Sequence, residues 1–182
     1  MDPKTRPAPK WEQTYAPGVG PLVGTALKEF LAGREFLKLA VLNEQGWPYV
    51  VPLWYEWDGE SFWLVGRKRS AWVKHLLNDP RCSICIEEKE APSIRKVLAQ
   101  CHGEVVEGPC AAAGSKWLEV ANAMAERYRG PDGPGLLEGS HGWERYLVKV
   151  TPVDGHMTTW HGPDWAKRYF DPGQRPDLES RR

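Results

Sequence analysis

The pattern that most constrains this chain is a succession of short apolar or alternating runs, each broken off by a turn signal. FLKLAVLN (36–43) is followed by Glu44-Gln45-Gly46, and PYVVPLWYEW (48–57) by Asp58-Gly59. SFWLVG (61–66) then gives way to a basic run. Alternation with a period of two buries one face of a strand, and tight turns join antiparallel neighbours. These three runs therefore predict a three-strand meander. RCSICIEE (81–88) and IRKVLAQCHGEVVEG (94–108) predict two further strands joined by the polar loop from Lys89 to Ser93. In the second, Val97, Ala99, Cys101, Gly103 and Val105 mark the buried face. RYLVKVTPV (145–153) and HMTTW (156–160) predict a last hairpin around Asp154-Gly155. Strands so joined predict a mainly β protein, an antiparallel barrel with a few helical insertions.

The helices are short. Thr25 is placed to cap one that carries Leu27, Phe30 and Leu31 on a face and ends near Gly33. Val73, Leu76 and Leu77 share the face of a second, stopped by Asn78-Asp79-Pro80. Over 115–129, Trp117, Ala121, Met124 and Tyr128 recur at helical spacing, and a glycine- and proline-rich loop follows from Gly130 to Gly142. Residues 1–20, rich in Pro, Gly and charge, read as an extended arm, 21–163 as one domain, and 164–182 as a polar tail. Neither an internal repeat nor a second domain boundary is evident.

Lys+Arg and Asp+Glu are equal at 24 each, which argues against a general nucleic-acid binder. No stretch approaches the roughly 18 apolar residues that cross a bilayer. The opening MDPKTRPAPKWEQ lacks the apolar core of a secretory signal, so a cytoplasmic protein with no membrane partner is expected. Cys82 and Cys85 form a CxxC, but residues i and i+3 of a strand point to opposite faces. They cannot share one metal, and buried thiols in a reducing compartment are expected instead. The histidines (75, 102, 141, 156, 161) form no metal set: His156 falls in a strand and His161 past its end. No serine sits in a nucleophile elbow, and no catalytic residue is assigned. His141 and Tyr128, beside the glycine-rich loop, are the candidate proton donors, with a structural role the simpler reading of both.

The segment from Val50 to Pro80 carries the chemistry. Pro52 interrupts a strong strand and is expected at an edge, at a bulge, or where a ligand approaches the backbone. Val51, Leu53 and Trp54 beside it offer peptide groups and apolar surface. Gly66-Arg67-Lys68-Arg69-Ser70 then leads directly into a helix, whose unpaired N–H groups and positive dipole end favour a phosphate. Ser70 has a hydroxyl to donate, Arg67 or Arg69 a bidentate grip, and Lys74 further charge. Alone, this run is also an ordinary solvated basic loop. Together with an apolar strand and a surplus of aromatics, ten of them Trp, it forms a site for a planar ring with an anionic tail.

LAVLNEQGWPYVVPLWYEWDGESFWLVG, then RKRSAWVKHLLNDPRCSICIEE, then VLAQCHGEVVEG resembles, in order and spacing, the pyridoxamine 5'-phosphate oxidase-like, FMN-binding split-barrel family and its flavin/deazaflavin oxidoreductase branch. The similarity runs over about residues 25–153. It implies a split β-barrel homodimer with cofactor clefts at the subunit interface, the cofactor being FMN or the deazaflavin F420. It also implies ring contacts from Val51, Pro52, Leu53 and Trp54, and phosphate contacts among Arg67, Lys68, Arg69, Ser70, Trp72 and Lys74. One position departs from the family pattern: where members often carry a lysine two residues after the serine, this chain has Trp72. The charge must then come from Arg67, Lys68, Arg69 or Lys74, and Trp72 is left to line a more open groove of the deazaflavin type. Oxidation of pyridoxamine 5'-phosphate itself requires a second phosphate site, and Arg145, Lys149, Lys167 and Arg168 are scattered along the sequence. An oxidoreductase acting on another small, planar, apolar substrate is expected. The alternative is a non-catalytic carrier barrel for flavin or haem.

Overall fold

A computed structural model describes residues 21–88 and 93–163. The expected N-terminal arm, C-terminal tail and the polar loop residues 89–92 lie outside them. The elements follow as α1 (Gly24–Leu31), β1 (Leu37–Leu42), β2 (Pro48–Leu53), β3 (Glu56–Trp57), β4 (Phe62–Arg67), α2 (Ala71–Asn78), β5 (Arg81–Glu87), β6 (Ser93–Cys110), α3 (Lys116–Arg129), a 3-10 helix (Pro134–Ser140) and β7 (Arg145–Pro163). The strands form one seven-stranded antiparallel sheet in the order β2-β1-β5-β6-β7-β4-β3.

That order sets the architecture. The two edge strands, β2 and β3, are consecutive in the chain and separated only by Trp54 and Tyr55. A seven-stranded sheet whose opposite edges are two residues apart has to curl back on itself. The edges meet covalently but are not hydrogen-bonded to each other, so the barrel is split along this seam. Inside it, the alternate residues Leu37, Leu39 and Val41 of β1 and Cys82, Ile84 and Ile86 of β5 are buried. Val97, Ala99 and Cys101 of β6 complete this face, as alternation requires. α2 seats Trp72, Val73 and Leu76 in the same core, while α3 builds a smaller one with Trp117 and Ala121 against Leu147. No helix among the described residues is long and apolar enough to cross a membrane.

Two expected connections differ. The run 48–57 is not the middle of a meander: β4 pairs with β7 over six residues, from Phe62↔Val150 to Arg67↔Arg145, and not with β2. The chain therefore leaves the ladder after Leu53 and resumes on the opposite edge. The hairpin expected at Asp154-Gly155 is also absent, because β7 runs unturned beside the 18-residue β6. Ala99 pairs with Met157 and Cys101 with Pro152, so two steps along β6 are matched by five along β7, and the surplus loops out as a bulge around Gly155 at φ +73°. A bulge and a hairpin use the same turn residues, and only the partner strand distinguishes them.

Smaller differences have local causes. α1 begins two residues early, with Val23 as its cap and Thr25 already inside. Leu77 is 58% exposed because α2 turns its Trp72/Val73/Leu76 face to the barrel. Part of the 130–142 loop winds into the 3-10 helix. Ser70 is the cap of α2 by position, but its Oγ makes no cap bond and instead accepts the Arg67 N–H at 3.0 Å.

Gly108 lies where β6 passes close to β7. Its φ is +98°, and a Cβ there would overlap the carbonyl oxygen of Arg145 and press on Tyr146 Cα. Gly108→Ala is expected to destabilise the protein by about 2–4 kcal/mol, seen as a lower urea midpoint at unchanged m value.

Candidate functional site

The two-residue link at the seam is clamped from both sides. Tyr55 turns inward, fully buried, and its hydroxyl donates to the Leu31 carbonyl at 3.0 Å. Arg127 of α3 donates to the same oxygen at 2.9 Å, and its guanidinium lies 4.7 Å from the Tyr55 ring and 4.8 Å from that of Tyr128. Burial raises the Tyr55 phenol above its ordinary range, so the hydroxyl stays a donor. Trp54 lies on the other side, stacked on Tyr128 at 4.9 Å and 4°. Tyr128 in turn donates to the Glu35 carbonyl at 2.8 Å. These contacts hold the end of β2 at the seam.

β3 is only two residues long, so the rest of β4 faces β2 across an open gap. A cleft of about 590 Å³ fills it. Val51, Pro52, Leu53 and Trp54 form one wall, while Val65 and Arg67 of β4 and Ser70 to Trp72 at the start of α2 form the other. α3 and the 3-10 helix contribute Ala121, Met124 and Leu137, and Phe36 and Arg145 lie at the margins. Pro52 fits this edge because of the ladder's parity. Asn43 N–H donates to the Trp47 carbonyl, making 43/47 a hydrogen-bonded pair of the β1–β2 hairpin. Alternation then makes Lys38/Pro52 a non-hydrogen-bonded pair. The Pro52 nitrogen thus faces the open edge, where no N–H is needed, and its carbonyl is presented on that side.

Seven of the ten expected residues, Val51, Pro52, Leu53, Trp54, Arg67, Ser70 and Trp72, meet in this one cleft. Trp72 does so as a core residue, 4% exposed, with its ring edge against Gly66, where a Cβ would come within 2.9 Å of it. Lys68, Arg69 and Lys74 line an adjoining hollow of about 570 Å³ with Trp143 and Tyr146, and Lys68 is already paired with Glu144 at 2.6 Å. Arg67 borders both spaces.

Arg145 is the charged cleft residue that the sequence did not single out as part of this site. It opens β7 directly opposite Arg67, so the two side chains share a face of the sheet. Its Nη2 donates to Ser140 Oγ at 2.8 Å, its guanidinium sits 5.3 Å from the Trp117 ring, and its Nε is buried without a partner. Burial, and then the charge of Arg67, lower its pKa. Among the described residues no carboxylate lies within ion-pair distance of either arginine, whereas Lys38, Lys68, Arg81, Arg95 and Arg127 each have one. The cleft therefore combines an apolar, aromatic length with a cationic end that lacks a counter-charge.

The candidate proton donors fall elsewhere. Neither His141 nor Tyr128 lines the cleft, and the Tyr128 hydroxyl is tied to Glu35, with burial raising its pKa. His161 lies within β7 and not past a strand end, because β7 continues to Pro163. Among the described residues no three His, Cys, Asp or Glu side chains gather as metal ligands. Cys82 faces the core, and Cys85 the opposite side of β5.

The profile of the family described as pyridoxamine 5'-phosphate oxidase matches residues 23–154. No curated protein matches the chain. Among solved structures, a conserved hypothetical protein from Mycobacterium tuberculosis superposes with a TM-score of 0.62 at 22% identity, over 81% of this chain and 89% of that one. The heme storage protein HutZ from Vibrio cholerae gives 0.56 at 22%, over 74% and 92%. An F420 reductase gives 0.55 at 19%, over 72% and 96%. At these identities the likeness is one of fold.

Burial pushes the Cys82 and Cys101 thiols up to about 12. In an alkylation time course at pH 8 read by mass spectrometry, both are expected to stay unmodified in the native protein and to react only on unfolding.

Proposed function

The chain belongs to the pyridoxamine 5'-phosphate oxidase family, and on that premise we propose that it is a flavin- or deazaflavin-dependent oxidoreductase. In this reading FMN, or F420 in its place, lies in the seam cleft of a homodimer and meets a small planar substrate there. The observation that carries the reading is the meeting of the proline-bearing edge of β2 with Arg67 and Ser70 in a single cleft.

The residues fit such a cofactor in two respects. Val51 to Trp54 offer a ring an apolar wall that also exposes unpaired main-chain groups, as on any sheet edge. The far end offers two guanidinium groups without carboxylates and one buried Nε without a partner, which suits the phosphate of FMN. When bound, the cofactor supplies the hydride chemistry, and the protein supplies binding, orientation and exclusion of water. Trp54, held by its stack on Tyr128, would offer the ring an aromatic contact. Ala121, Met124 and Leu137 cover the cleft from the helical side and keep water from it.

The same lining favours an apolar planar substrate over pyridoxamine 5'-phosphate. Arg145 joins Arg67 and Ser70 at the cofactor's anionic end, and the rest of the cleft's lining is aromatic or aliphatic. Within the cleft itself, that leaves no second cationic cluster for a substrate phosphate. A haem carrier is the less favoured reading: neither histidine nor cysteine is among the cleft's lining residues, and the axial-ligand types it does offer are Tyr49 and Met124. A partner copy is supported by the apolar surface of the β2 hairpin beside the cleft, where Trp47 is 72% and Val50 60% exposed.

FMN and F420 titrations followed by tryptophan quenching and by the cofactor's visible spectrum test the assignment. At least one cofactor is expected to bind at micromolar affinity or tighter and to turn over with reduced nicotinamide or as reduced F420. A protein that binds neither refutes the assignment, while one that binds without turnover is a carrier. Trp54→Ala is expected to weaken cofactor binding about tenfold, the value of one aromatic contact. Light scattering is expected to give a dimer mass for the wild type and a monomer for Trp47→Asp.

A further inference from the structure

We propose that the phosphate is gripped by a cross-strand arginine pair, Arg67 and Arg145, together with the Ser70 hydroxyl, and that this pair replaces the family's lysine at the position of Trp72. The inference rests on the cofactor reading above and specifies which residues carry its anionic end.

Four observations converge. First, Arg67 and Arg145 are directly opposed in the β4–β7 ladder and both line the cleft. Like charges in that relation destabilise a sheet, and an anion between them reverses the sign of the interaction. Second, neither arginine has a carboxylate of the described residues within ion-pair distance, so no acidic group among them fills the place of a ligand. Third, Arg145 is held before any ligand arrives. Ser140 takes Nη2, Trp117 packs against the guanidinium, and Nε is left buried without an acceptor. A planar donor fork fixed in this way matches a phosphate with little further loss of side-chain entropy. Fourth, the Ser70 Oγ accepts from the Arg67 main chain, which orients it and leaves its proton for a ligand at the start of α2.

The alternatives within the basic run are less well placed. Trp72 is in the core and carries no charge. Lys68, Arg69 and Lys74 border the neighbouring hollow and not the cleft. They add to the positive field that draws an anion in, without lining the space where a phosphate attached to a ring on β2 would sit.

The test compares FMN with riboflavin, which differ by the phosphate alone, and inorganic phosphate with ionic-strength-matched chloride. For the full-length wild type, FMN is expected to bind at least about 30-fold more tightly than riboflavin, and phosphate alone to raise Tm by several degrees. Arg145→Gln and Arg67→Gln are each expected to erase most of the FMN preference and the phosphate shift while changing riboflavin affinity less than about twofold. Lys149→Gln, which removes the same charge outside the cleft, is expected to keep both. Should Arg145→Gln fail to fold, Arg145→Lys reads the same ratio, with an intermediate value expected. A wild-type FMN preference that survives in the arginine variants overturns the pair and leaves the flavin reading standing. An arginine-dependent phosphate shift without binding of any flavin or F420 keeps the anion site and overturns the flavin reading. A wild type that shows neither a phosphate shift nor a preference for FMN overturns the proposal.

Discussion

The structure depends on a covalent constraint: two residues, Trp54 and Tyr55, connect the opposite edges of a seven-stranded sheet. Once β2 and β3 are that close in the chain, the sheet must curl, and its interior becomes a core that alternate residues of each strand fill. The link is short and carries two large aromatic side chains. Tyr55 anchors it inward to the carbonyl of Leu31, and Trp54 outward to Tyr128. Arg127 spans both sides by packing against Tyr55 and Tyr128. In this way α1 and α3, remote in sequence, are drawn to the same point of the barrel.

The cleft is a consequence of how the seam closes. β3 pairs with only two residues of β4, so the remaining lengths of β2 and β4 have unpaired edges facing each other. Exposed edges of this kind are a liability unless something covers them. Here α3 and the 3-10 helix cover them from one side, and a planar ligand suits the space that remains. The gap opens at one end on the start of α2, which places uncompensated positive charge there. Apolar wall and cationic end thus follow from one topological feature.

Much of this was legible in the residues. The interrupted strand at Pro52 pointed to an edge, a bulge or a ligand approach, and the structure shows an edge; the basic run before α2 marked a concentration of positive charge at a helix start. The core faces of β1, β5 and β6 followed from alternation. The meander and the last hairpin did not survive, since turn residues such as Asp154-Gly155 serve a bulge as readily as a reversal. Arg145 was indistinguishable from a solvated arginine at the start of a strand. Its meaning lies in its register with Arg67, 78 positions away, and in a buried Nε that no local pattern reveals.

The sequence by itself determined the kind of protein: strand period, turn chemistry and helix stripes are short-range properties, set by side-chain direction and backbone geometry within a few residues. It also set where the proline-interrupted apolar run and the basic run lie along the chain. Only the tertiary structure decided that these stretches share one cleft, that Trp72 is core, and that Lys68, Arg69 and Lys74 face a separate hollow. Those outcomes depend on strand order, register and curl, which arise from contacts between residues far apart in the chain.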